Sequence, residues 1–252
     1  MATVNRTLFV QGASRGIGLA IVERLLSRDP ETTVIASCRH PGDAHALTAL
    51  AEAHPDRCRV VALDVRRESS IAAAASAIAG LTPSLDLVMN VSGMLHGPGV
   101  SPEKKLDQVD ADALRQVFEV NAFGPLLVGK HFARFLRHDQ RSVFASLSAR
   151  IGSISDNRLG GWYAYRGSKA AQNMFTKTIA IELSRIAPRA IVLGLHPGTV
   201  DTSLSKPFQR GVPASTLLTP AQAAEALLGV VSAATSSDSG RVFDFRGKEV
   251  LP

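Results

Sequence analysis

Aromatic side chains are scarce in this chain of 252 residues: one tryptophan, two tyrosines and ten phenylalanines make up 5% of it. Too few aromatic faces remain for a series of stacked bases. The formal charge of +6 would otherwise invite a nucleic-acid reading. Its basic residues come in pairs, such as Arg66-Arg67 and Lys104-Lys105, and never in a run of five or more. No nucleic-acid partner is expected, and a site for an anionic cofactor accounts for part of the surplus. Only two cysteines occur, Cys38 and Cys58, which could close one bridge at most and fit a reducing compartment as free thiols. No apolar run approaches the roughly 18 residues that span a bilayer, and MATVNRTLFVQG lacks a signal peptide's apolar core. The expectation is a cytoplasmic protein with no membrane partner. The seven histidines form neither H-E-x-x-H nor a compact cluster with cysteine, so no metal site is expected.

What the chain does contain is a rhythm. Apolar, β-branched runs at 7–11, 33–37, 59–65, 85–91, 142–148, 190–195 and 241–245 alternate with helical patterns at 17–27, 44–53, 69–79, 111–137, 165–186 and 220–232. Near-continuous apolar strands separated by helices predict a parallel sheet buried on both faces. The fold class is α/β, a single doubly wound domain of about seven strands. The Pro- and Ser-rich stretch 199–219 reads as a surface loop over a site.

After the first strand come Gln11, Gly12, Ala13, Ser14, Arg15, Gly16, Ile17 and Gly18. Glycines at 12, 16 and 18 between a strand and a helix let backbone N–H groups and the helix start approach a pyrophosphate. The second strand ends in Cys38, Arg39 and His40, with none of the acid that would hold a ribose 2′-hydroxyl. Arg39 and Arg15 instead form a two-pronged clamp for a 2′-phosphate, which points to NADP(H). Both arginines would otherwise be ordinary solvated surface residues.

Both tyrosines fall in GGWYAYRGSK, residues 160–169. On a helix, Tyr165 and Lys169 share a face, whereas Tyr163 lies about 120° away from the lysine. A cation near the phenol would lower its pKa toward the working range of a general acid or base. Asn121 precedes Pro125 by four, so in a helix its carbonyl loses its usual donor and is free to hold a water. Ser146 and Ser148 alternate on the fifth strand, with Ser148 nearer the carboxyl end where open sheets place ligands. Ser148 is therefore the choice for a hydroxyl on the substrate oxygen, with Ser153 in reserve.

Taken in order, the glycine turn, Asp64-Val65, Asn90-Val91-Ser92-Gly93, Asn121, Ser148, Tyr165-x3-Lys169 and Pro197-Gly198-Thr199-Val200-Asp201-Thr202 resemble the short-chain dehydrogenase/reductase family over nearly the whole chain. Details such as CRHP, SARIGSI and HPGTVDT look most like its branch of Sniffer-type carbonyl reductases and bacterial C-signal-like factors. The resemblance implies a Rossmann domain over residues 1–252 and an enzyme interconverting a small-molecule carbonyl and its alcohol with NADP(H). It implies that Asp64 and Val65 contact the adenine and that Asn90, Ser92 and Gly93 line the cofactor. Pro197, Gly198, Val200 and Thr202 would hold the nicotinamide carboxamide, and Lys169 the nicotinamide ribose. Gln11, Val91 and Ala149 depart from the family pattern, and the insert 154–161 would reshape the pocket rim. A homodimer or homotetramer is also implied. The alternative is a nucleotide-binding signalling or regulatory protein of the same fold with little turnover.

Overall fold

The computed structural model describes residues 6–252. In chain order its elements begin with β1 (Arg6–Gln11), α1 (Gly16–Arg28), β2 (Thr32–Cys38), α2 (His45–Ala53), β3 (Cys58–Ala62), α3 (Glu68–Ala79) and β4 (Leu87–Asn90). They continue with α4 (Ala111–Phe118), α5 (Gly124–Phe132), β5 (Ser142–Leu147), α6 (Tyr163–Ile186), β6 (Ala190–His196), β7 (Thr199–Val200), β8 (Leu217–Leu218), α7 (Pro220–Ala233) and β9 (Arg241–Asp244). Seven strands form one parallel sheet in the order β3-β2-β1-β4-β5-β6-β9. This is the doubly wound sheet expected from the alternating pattern.

Burial on both faces explains why the strands read as apolar runs. Along β5, Val143, Ala145 and Leu147 join the cluster packed under α1, α2 and α7. Phe144 points the other way, into the cluster under α3, α5 and α6. There Phe9 and Phe132 stack with ring centres 4.5 Å apart.

The strand order reverses between β1 and β4, whose ends pair Gln11 with Asn90. A crevice opens outside the carboxyl ends of strands at such a reversal, the usual ligand position in this architecture.

Two expectations need correction. The helix expected over 111–137 is not one α-helix: α4 passes through a π turn, Glu119–Phe123, into α5 and a final 3-10 turn, Ala133–Leu136. Pro125 lies just past the π turn, where its missing N–H leaves a gap in the regular ladder. The stretch 199–219 is not all loop, since Thr199–Val200 pairs with Leu217–Leu218 in a short parallel ladder.

Candidate active site

The glycine turn is held by its own packing. Gly12 and Ala13 donate their N–H groups to the Ser37 carbonyl at 3.0 and 2.9 Å. Gly12 has φ +84°, and a Cβ there would stand 2.6 Å from Ser92 Oγ. At Gly18 a Cβ would come within 2.2 Å of the Gly12 carbonyl oxygen, so no side chain fits. Gln11, a departure from the family pattern, donates from Nε2 to Ser92 Oγ at 2.6 Å, and its Oε1 accepts from Ser92 N at 3.3 Å. That pair ties the end of β1 to the turn after β4. The start of α1 has no side-chain cap, which leaves its first N–H groups for an anion.

A groove of about 1070 Å³ runs over this turn. Gly12, Ser14, Arg15, Gly16, Ile17 and Gly18 line it at one end, with Arg39, Asp64 and Val65 beyond them. Ser92, Gly93, Tyr165, Lys169, Pro197 and Thr202 also line it. Arg15 and Arg39 are exposed at its rim. Arg66, in the sequence only half of a basic pair, lines the groove too and hydrogen-bonds Asp64 from Nε and Nη2 at 3.3 and 3.1 Å. Burial pushes the Asp64 carboxyl up, but the bonds and charge of Arg66 outweigh it and hold the group below its ordinary value. An uncapped helix start beside three arginines fits a phosphate-rich nucleotide.

Some expected cofactor residues lie elsewhere. Asn90 is buried and lines neither the groove nor the cavity beside it; its Nδ2 donates to Ser146 Oγ at 3.0 Å. Being inside strand β4, it supports the turn from below. Gly198 and Val200 line a second, smaller cavity of about 420 Å³. Gly198 takes φ +77° against the Phe245 ring, 2.9 Å from where a Cβ would be.

Ser148, Tyr165 and Ile17 line both spaces, so the groove and the cavity meet there. Ser148 Oγ donates to Asn173 Oδ1 at 2.5 Å, a partner on α6. Ser153 lines neither space and instead accepts from Asp156 N at 3.2 Å. Lys169 lies one turn after Tyr165 on α6, its Nζ 5.9 Å from the phenol ring centre. The expected effect of that cation on the phenol is not what the structure shows. Lys169 Nζ donates to the Leu147 carbonyl at 2.6 Å and to Gln172 Oε1 at 2.8 Å. Burial brings the lysine down to about 7 and pushes Tyr165 up to about 12. Tyr165 retains some exposed surface, but its hydroxyl lies deep enough to favour the neutral phenol.

Asn121 is fully buried in the π turn. Its Oδ1 accepts from Met94 N at 2.8 Å, and its Nδ2 donates to the Met94 carbonyl at 2.8 Å and to Ser168 Oγ at 3.1 Å. The side chain is occupied in joining three segments, so any part in proton transfer belongs to its backbone carbonyl.

The start of α6 depends on a residue with no sequence signal, Glu103. Its carbonyl accepts from Trp162 N at 2.5 Å, and its buried carboxylate accepts from Ala164 N at 3.3 Å. Trp162 sits at φ +53°, the one non-glycine residue with positive φ among those described. Held so, its ring meets Tyr165 edge-on at 6.3 Å and Phe208 at 5.1 Å, forming one cavity wall.

A family model described as short chain dehydrogenase matches residues 6–212, and the chain belongs to that family of oxidoreductases. A 1-hydroxy-2-glutathionyl-2-methyl-3-butene dehydrogenase of Rhodococcus sp. is 33% identical, over 93% of this chain and 94% of its own. The C-signal protein of Myxococcus xanthus is 36% identical over 58% of this chain and 82% of its own. Among solved structures, NADPH-bound carbonyl reductase from chicken fatty liver superposes with TM-score 0.87 at 28% identity, covering the whole of both chains. The carbonyl reductase Sniffer of D. melanogaster, at TM-score 0.86 and 23% identity over 99% of this chain and all of its own, shares the fold. The branch anticipated from the sequence is thus among the chain's relatives.

Proposed function

We propose that the chain is an NADP(H)-dependent oxidoreductase that interconverts a carbonyl and an alcohol. It works as one nucleotide-binding domain over residues 1–252, with 199–219 as its substrate loop. The observation that carries this reading is the meeting of groove and cavity at Ser148 and Tyr165. A small molecule in the cavity would present its oxygen to two hydroxyl groups at the wall where the groove ends.

When bound in the groove, the cofactor supplies hydride for reduction or accepts it for oxidation. The uncapped start of α1 would hold its pyrophosphate, Arg15 and Arg39 its 2′-phosphate, and Pro197 and Thr202 its nicotinamide end. Ser148 turns its hydroxyl from Asn173 to the substrate oxygen and orients it. Tyr165, kept protonated by burial, gives its proton to that oxygen in reduction and takes it back in oxidation. Lys169 steadies the phenolate left behind, and with its ammonium brought down to about 7 it can return a proton at neutral pH. The Asn121 carbonyl would hold a water for the same relay. A cytoplasmic location and a homodimer or homotetramer built on the two long helical segments complete the reading.

The test offers purified protein NADPH with a panel of aldehydes, ketones and quinones. Turnover is expected, and Tyr165→Phe should lower kcat by about 10²–10⁴-fold without loss of NADPH binding. Turnover indifferent to that change sinks the mechanism. Arg39→Asp should weaken NADPH far more than NADH in a fluorescence titration, and equal losses would remove the clamp. The likeness to C-signal supports a second reading, a nucleotide-binding signalling protein, which tight NADPH binding with no turnover on any panel member would favour.

A further inference from the structure

The small cavity has an uneven distribution of charge. Arg150, Arg158 and Arg166 line it, against one acidic residue, Asp156. All four belong to the segment running from the end of β5 through the insert into the first turn of α6. The facing side comes from the 199–212 stretch and is largely apolar, with Val200, Leu204, Phe208 and Val212.

The three arginines are not equivalent. Arg166 donates to the carbonyls of Ile151, Gly160 and Gly161 at 3.3, 3.3 and 3.0 Å, which fastens the insert to α6. Arg150 stands 3.8 Å from Asp156 and from Asp244, beyond hydrogen-bond length in both cases. Arg158 is exposed on the insert and pairs with no acid among the described residues. His196 adds no negative charge, and burial together with nearby Arg150 brings its imidazole down to about 4, so it is neutral in ordinary buffers. Arg158 therefore faces the cavity with no acid beside it, and Arg150 faces it with its two carboxylate neighbours at 3.8 Å, too far to occupy its N–H donors.

We infer that the cavity takes a substrate with an anionic tail, a carboxylate held by Arg158 and Arg150, and an apolar body laid along Leu204, Phe208 and Trp162. The inference rests on the oxidoreductase reading, because the reacting end at Ser148 and Tyr165 is what directs the tail toward the insert. Guanidinium is the cation suited to the task, since its planar fork meets both carboxylate oxygens. Apolar walls on the other side reduce screening and strengthen the pairing.

Trp162, the sole tryptophan, lines this cavity and reports on it without any turnover. Protein saturated with NADP⁺ would be titrated with 4-phenylbutyrate and with the neutral 4-phenylbutanamide, following tryptophan fluorescence at low and high salt. The carboxylate should bind about tenfold more tightly at low salt, the gap of a charge-assisted hydrogen bond, and salt should narrow it. Arg158→Gln or Arg150→Gln should narrow it as well. Equal affinities overturn the proposal, as does a gap that survives both substitutions or a lack of response to either ligand. If carbonyl turnover is present while the affinities are equal, only the anion site falls. If the carboxylate preference holds with no turnover, the oxidoreductase reading falls instead.

Discussion

Tyr165 and Lys169 are shifted in opposite directions by the same cause, burial, which disfavours the charged form of each. Lys169 has a folded value near 7 against an ordinary 10.5, so between those pH values the unfolded chain binds more protons and stability rises with pH. Below that window the native state carries a buried charge at full cost. Lys169→Met should therefore raise the melting temperature of cofactor-free protein more at about pH 6 than at about pH 9. Scanning calorimetry at the two pH values measures it, and the opposite ordering refutes the burial account. Tyr165 runs the other way, since its folded value lies above its unfolded one. Its contribution is complete below about 10 and is lost as pH rises through about 12. The identity of this pair was legible from four-residue spacing, but its environment was not. Spacing cannot show that the Leu147 carbonyl and Gln172 already occupy the ammonium.

The run from α4 to α5 shows how one residue governs an element. Asn121 carries three side-chain bonds across the π turn, to both backbone groups of Met94 and to Ser168 on α6. Asn121→Leu leaves the half-buried Met94 amide without its acceptor and should cost about 1–3 kcal/mol, read from the urea midpoint of unfolding. A cost under about 0.5 kcal/mol, the level of an ordinary surface change, would mean that water replaces those bonds. A second junction, the start of α6, rests on Glu103, and Glu103→Ala should cost about 1 kcal/mol, the loss expected of a helix N-cap. The major strands and helices were legible because burial on two faces imposes apolar runs and burial on one imposes a helical period. The π turn was not, because five residues are too few for its wider i→i+5 winding to disturb the α-helical period around it, and Pro125 alone hints at the break. The β7–β8 ladder, two residues a side, is shorter than any pattern a period can reveal.

Across the whole molecule, two apolar layers enclose the sheet, and Phe132 stands at the centre of one of them, fully buried beside Phe9 and Phe135. Phe132→Ala should cost about 3–5 kcal/mol in the same urea measurement. On the outside, α6 leaves Met174 64% and Ile181 47% exposed, seven residues apart and so on one face. The homo-oligomer proposed above would cover them, and sedimentation should show Met174→Glu shifting the protein toward monomer. An unchanged sedimentation coefficient would place the contact elsewhere or remove it. Sheet order was hidden from the sequence, since it depends on crossovers that bring separate segments together; the bond from Arg66 to Asp64 is local, but nothing in a basic pair shows that one of its members turns back onto the acid two residues before it. The two cysteines, one ending β2 and one opening β3, are both free and buried, with burial raising each thiol, and Cys38 lies against the floor of the groove. The native chain therefore offers a low background to thiol-reactive dyes, lowest when nucleotide fills the groove that Cys38 lines. A cysteine introduced at an exposed insert position such as Asn157 could carry a label selectively, making the motion of the cavity rim measurable in a protein with every native residue of its core in place.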